Sequence, residues 1–135
     1  MSYSFEELTL GLSASIEKTV TEDDVHTFAA VTGDNNPVHL DAEFAATTSF
    51  EKPIAHGMLT AGFISAAIGT KLPGPGCIYL EQSLKFRAPV YIGATVTTTV
   101  IVTELNERRR RATIETICTV EGKKVVTGEA TIMLP

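Results

Sequence analysis

The sequence predicts an α+β domain in which a curved antiparallel sheet wraps one central helix. Three observations predict it. The stretch from Gly57 to Ile68 is apolar or small at every position, so a helix formed there has no polar face to offer to water. The second half of the chain carries four long runs rich in β-branched residues. Short turn-like connections join the last three of these runs, which makes them antiparallel neighbours. Strands of ten or more residues twist and curl, and a helix apolar all round needs a surface that wraps it. The two demands are met by one structure.

The elements follow in order. Residues 12–20 (LSASIEKTV) alternate well enough for a first strand. Thr21-Glu22-Asp23-Asp24 has the form of a capping box and opens a helix, with Val25, Phe28 and Ala29 on its buried face and Gly33 near its end. Residues 33–40 (GDNNPVHL) read as turn chemistry rather than strand or helix. A short helix is expected at 42–47 and the long apolar one at 56–71, followed by the turn Leu72-Pro73-Gly74-Pro75-Gly76. Strands are expected at 77–87, 94–105, 110–120 and 124–134, with hairpin connections at 106–108 and 121–123.

Composition bounds the function. With 135 residues, 44% of them hydrophobic and 20% charged, the chain has the size and make-up of a single domain spanning 1–135. A net charge of −5 argues against nucleic acid as a partner, because an acidic surface repels phosphate. Two cysteines, Cys77 and Cys118, build neither a disulfide framework nor a zinc site, and they fit a reducing compartment. The uncharged stretch Gly57–Thr70 is 14 residues long, whereas a membrane-spanning helix needs roughly 20. The first residues, MSYSFEELTLG, lack the basic start and apolar core of a signal peptide. A cytoplasmic protein without a membrane partner is expected.

Chemistry concentrates between Thr32 and Leu40, where Asp34, Asn35, Asn36 and His39 sit within six residues around Pro37. Pro37 fixes its own φ and drives Asn36 towards extended geometry, so Asp34 and His39 hold a defined relation. A carboxylate and an imidazole so placed form an acid/base pair. Read alone, the same residues also make an ordinary turn in which Asp and Asn bond their own backbone. A second signal is His56-Gly57 at the start of the apolar helix, where free N–H groups favour negative charge. A glycine there admits a ligand close to the backbone, and its amide can hold a developing oxyanion. Plain capping by His56 explains the same pair of residues.

The run GDNNPVH, the helix start AHGM at 55–58 and the passage LPGPGCIYLEQSLKFRAPV at 72–90 together resemble the MaoC-like (R)-specific enoyl-CoA hydratases of the hot-dog superfamily, over residues 12–134. The resemblance implies a hot-dog fold and an acyl-CoA thioester substrate. It implies that Asp34 and His39 bind and activate water, and that the Gly57 amide binds the thioester oxygen. Asn36, Ser65 and His56 are expected on the substrate side of the site. It also implies a homodimer whose sheets join edge to edge, and no cofactor beyond the CoA of the substrate.

Three other functions use the same fold and remain open: a 3-hydroxyacyl-acyl-carrier-protein dehydratase, an acyl-CoA thioesterase and a non-catalytic acyl-CoA-binding module. No metal site is expected, since no His, Cys or carboxylate cluster has ligand spacing along the chain. The arginine run 108–111 reads as a solvated hairpin tip, and the two cysteines and His26 as packing or surface residues.

Overall fold

The computed structural model describes residues 2–135. Five strands form one antiparallel sheet: β1 (Ser13–Thr19), β2 (Ile78–Phe86), β3 (Thr95–Asn106), β4 (Arg111–Val120) and β5 (Lys123–Met133), in the order β1-β3-β4-β5-β2. The last three strands are sequential neighbours, as their short connections demand. The β4–β5 turn is made by Glu121 and Gly122, both at positive φ, which matches the twist of the strands it joins. β2 crosses to the far side of β5, so β1 and β2 are the two edges.

Four helices precede or cross the sheet: α1 (Glu22–Thr32), α2 (Pro37–Leu40), α3 (Ala42–Ala46) and α4 (Gly57–Thr70). The capping box at the head of α1 forms in both directions. The Thr21 hydroxyl accepts from the Asp24 amide at 3.1 Å, and Asp24 Oδ2 accepts from the Thr21 amide at 2.9 Å. α1 ends at Gly33, whose φ of 82° is the left-handed cap that glycine supplies without strain.

Two local elements differ from expectation. Residues 37–40 are not turn but one turn of helix, because Asn36 caps it, its Oδ1 accepting from the Val38 amide, and Pro37 occupies the first helical position. A single 3₁₀ turn at Phe5–Glu7, headed by a Ser4/Glu7 capping box, was not expected.

The concave face of the sheet holds α4. Phe63, Ile64, Ala67 and Ile68 of the helix meet Val96, Val100 and Val102 of β3, Ile114 of β4 and Ile132 of β5, all buried. Burying each Val or Ile contributes about 1.5–3 kcal/mol relative to exposure. The sheet covers only one side of α4, however. Met58, Gly62, Ser65 and Ala66 are exposed, so the expectation that this helix is enclosed on every face fails for the single chain. The physical reason is that five strands curve around about half of a helix.

The arginine run is only partly solvated. Arg110 forms a two-pronged ion pair with Glu6, its closest approach 2.6 Å, and lies over the Phe5 ring, pinning the amino-terminal turn to the β3–β4 hairpin. Arg111 is half-buried on β4. Cys118 is buried and Cys77 half-buried, both as free thiols. His26 is largely exposed and lies 3.7 Å from Glu22 one turn earlier. No helix among the described residues is long and apolar enough to cross a membrane.

Candidate active site

Two short segments are stitched together at the amino end of α4. The first, residues 33–40, leaves α1 through Gly33 and enters α2. The second, residues 53–57, runs into α4. The Ile54 amide donates to the Val38 carbonyl at 3.3 Å, and the Ala55 amide to the Val90 carbonyl at 2.7 Å. These bonds place Asp34, His39, His56 and Gly57 around one cavity of roughly 520 Å³, a size that suits a small-molecule ligand. Phe86, Thr60 and Val126 line it further.

The hydrogen bonds define the state of each imidazole. His39 Nδ1 lies 2.6 Å from the Ile54 carbonyl oxygen, which can only accept, so Nδ1 carries a proton and donates. In the neutral ring Nε2 is then a free acceptor. Burial holds the pKa of His39 below its ordinary value of 6.5, and the neighbouring His56 adds to the effect; the Ile54 carbonyl and Asp34 oppose it. Neutral His39 is therefore the dominant form near pH 7.

His56 is 2% exposed. Its Nε2 lies 2.9 Å from the Asp34 backbone carbonyl and donates to it. One ring face stacks on His39, with centroids 3.9 Å apart, and Phe28 lies 4.7 Å away. His56 Nδ1 and Thr60 Oγ1 are buried without a hydrogen-bond partner among the described residues.

Asp34 is exposed, with Oδ1 accepting from the Asn36 amide at 3.3 Å. The burial that a strong carboxylate base needs is not supplied by this chain alone. Gly57 is the first residue of α4, and its N–H has no intrahelical acceptor. A Cβ on Gly57 would lie 2.7 Å from two atoms of the Phe86 ring, so the space the glycine leaves open is occupied by Phe86.

The expected site residues thus divide. Asp34, His39, His56 and Gly57 converge. Asn36 is exposed and caps α2, and Ser65 lies on the uncovered side of α4; neither lines the cavity. Phe86 and Thr60 were not anticipated. The preference for glycine before a buried helix was the one signal for Phe86, since a missing side chain marks close approach from elsewhere.

The fold also corrects the expectation of no metal-ligand spacing. Donor atoms of Asp34, His39 and His56 all lie within 4.8 Å of one another. Asp34 and His39 come from one segment and His56 from the next, so the cluster forms only where the fold brings the two segments together. The fit to a cation is poor: His39 Nδ1 and His56 Nε2 already donate to carbonyls, so each ring has one nitrogen left, and that of His56 is sealed from solvent.

A five-stranded antiparallel sheet around one helix, with Asp34 and His39 beside the amino end of that helix, is the hot-dog fold of solved R-hydratases. The family model described as MaoC like domain matches residues 8–127, and the chain belongs to that family. An (R)-specific enoyl-CoA hydratase from Rhodospirillum rubrum is 56% identical over 131 residues, which cover 97% of this chain and 91% of the relative. The solved structure of an (R)-hydratase from A. caviae involved in PHA biosynthesis superposes with a TM-score of 0.94 at 47% identity, covering 96% of this chain and 99% of that one. An unliganded R-hydratase from Pseudomonas aeruginosa gives 0.93 at 48% identity, covering 98% and 85%.

Proposed function

We propose that the protein is an (R)-specific enoyl-CoA hydratase, adding water reversibly to a trans-2-enoyl-CoA to give the (R)-3-hydroxyacyl-CoA. The observation that carries this reading is the convergence of Asp34, His39 and the Gly57 amide on one cavity, in a chain more than half identical to a relative of that name.

The reaction needs a water nucleophile at the β carbon, a proton for the α carbon and a partner for negative charge on the thioester oxygen. Asp34 takes the proton from the water as general base, and the Asp34/His39 pair returns a proton to the α carbon, so the addition balances. His39, with Nδ1–H fixed by Ile54, offers Nε2 as the second acceptor that orients the water. The Gly57 N–H, at the positive end of α4, holds the oxygen as charge develops on it. Substrate closing over Asp34 supplies the desolvation that the free chain lacks. Asn36 contributes by holding the loop: its amide bonds Asp34 Oδ1, and its own Oδ1 caps α2.

We further infer a homodimer. β2 is an unpaired edge on which Ile78, Tyr79, Leu80 and Phe86 are exposed, a combination that invites pairing with a second sheet. The small residues Gly62, Ser65 and Ala66 on the open side of α4 leave room for a second body, and would bring Ser65 into a shared interface. Two free thiols fit a cytoplasmic setting.

The test is the loss of enoyl absorbance on incubation with crotonyl-CoA and longer enoyl-CoAs, followed by chiral analysis of the product. Accumulation of the (R)-3-hydroxyacyl-CoA is expected. Release of free CoA instead would make the protein a thioesterase. Binding without any change in absorbance would make it an acyl-CoA-binding module.

A further inference from the structure

His56 is sealed from solvent yet touches both members of the acid/base pair, one through the backbone and one through its ring face. Its Nε2–H fixes the carbonyl of Asp34 and hence the backbone from which that carboxylate projects. Its ring forms the floor on which His39 lies. Neither contact leaves it an atom directed at substrate. With a proton on Nε2, the neutral ring presents a bare lone pair at Nδ1, buried and unpartnered among the described residues.

One turn further along α4, Thr60 is 1% exposed, and its hydroxyl is likewise buried and unpartnered. One atom can only accept and the other has a proton to give. Residues four apart at a helix start are neighbours on one face, and rotation about the Thr60 Cα–Cβ bond moves the hydroxyl without disturbing the backbone. Buried polar atoms in folded proteins are nearly always paired.

We propose that His56 is a positioning residue for Asp34 and His39, locked as the neutral Nε2–H tautomer, and that the Thr60 hydroxyl is the donor to its Nδ1. The inference rests on the hydratase reading for its kinetic arm only, because the tautomer is a property of the folded chain.

The experiment is long-range proton–nitrogen correlation NMR on histidine-labelled protein, which distinguishes the two tautomers of a neutral imidazole. A His56 pattern with its proton on Nε2 and a hydrogen-bonded lone pair at Nδ1 is expected. Thr60→Val should shift the Nδ1 resonance towards that of an unbonded lone pair, and Thr60→Ser should restore it. An Nδ1–H tautomer, or an Nδ1 resonance unmoved by Thr60→Val, would overturn the assignment.

In kinetics on crotonyl-CoA, His56→Leu should lower kcat by about tenfold or more with KM nearly unchanged, as expected for a misplaced reacting group. His56→Gln, which keeps an N–H for the Asp34 carbonyl, should recover part of the loss. Wild-type kcat in His56→Leu would refute the positioning role. A wild-type protein that hydrates no enoyl-CoA would refute the hydratase reading, leaving the tautomer to be decided by the spectra.

Discussion

The imidazole of His39 lies stacked on that of His56, 3.9 Å between centroids, although the two residues reach the site on different segments of the chain. The stack has a consequence for each ring. His56 is held by the Asp34 carbonyl and His39 by the Ile54 carbonyl, so both donate outward and leave His39 Nε2 as the free acceptor beside Asp34. Asp34, on its exposed loop, and His39, on α2, thereby share a rigid back wall.

A pH dependence follows. Burial and the adjacent His56 lower the pKa of His39 from 6.5, so its neutral form persists to lower pH than that of a free imidazole. The limb of kcat/KM set by His39 should therefore fall as pH drops through a value below 6.5. Stability carries the same sign. The unfolded chain binds this proton more readily, so the contribution of His39 is fully present above its unfolded pKa and is lost as pH falls through the folded one. A pH profile with parallel urea unfolding checks both; a His39 limb above 6.5 would contradict the geometry.

Gly57 and Phe86 form a second testable pair. A methyl group at position 57 would meet two ring atoms at 2.7 Å, but Phe86 is 55% exposed and can swing away. Gly57→Ala should therefore cost little stability, within about 1 kcal/mol, while lowering kcat/KM about tenfold or more, because the displaced ring lines the cavity. In a double-mutant cycle, Phe86→Ala should absorb much of the effect, giving clear non-additivity. Additive effects of the two substitutions would show that the ring and the glycine act separately.

Gly128 on β5 is constrained by backbone instead. A Cβ there would lie 1.9 Å from the Ser83 carbonyl oxygen on β2, which no side-chain rotation relieves. Gly128→Ala should separate β2 from β5 and destabilise the fold by more than about 3 kcal/mol, a large value reserved for such clashes. The urea midpoint measures it. An unchanged midpoint would mean that β2 is not seated on β5 as described.

Much of this architecture was legible because its signals are local. The Thr21/Asp24 capping box, the left-handed stop at Gly33 and the Glu121-Gly122 hairpin are each written within a few residues, and β-branched alternation marked the strands of the curved sheet. The helix at 37–40 was missed because Asn-Pro marks a turn as readily as a helix cap, and the difference lies in where Val38 and Leu40 pack. Ser4 and Glu7 carried a capping signal for the first turn that went unused. Asp34, His39 and Gly57 stand out as candidates by residue type and by the family resemblance, and the fold brings all three to one cavity.

What could not be read was the third dimension of the site. The bond from His56 to a carbonyl 22 residues earlier leaves no trace in spacing. Phe86 over Gly57 depends on the edge position of β2, which no local pattern encodes. The open side of α4 was hidden for a further reason: apolar and small residues look alike whether they face their own sheet or another protein.

The most direct test of the central claim is turnover of crotonyl-CoA by Asp34→Asn and His39→Gln, with folding checked by circular dichroism. Positioned proton transfer is worth roughly 10²–10⁴ in rate, so each variant should retain its fold and lose at least about a hundredfold in kcat. Near wild-type turnover in both folded variants would contradict the assignment of this pair as the groups that activate water.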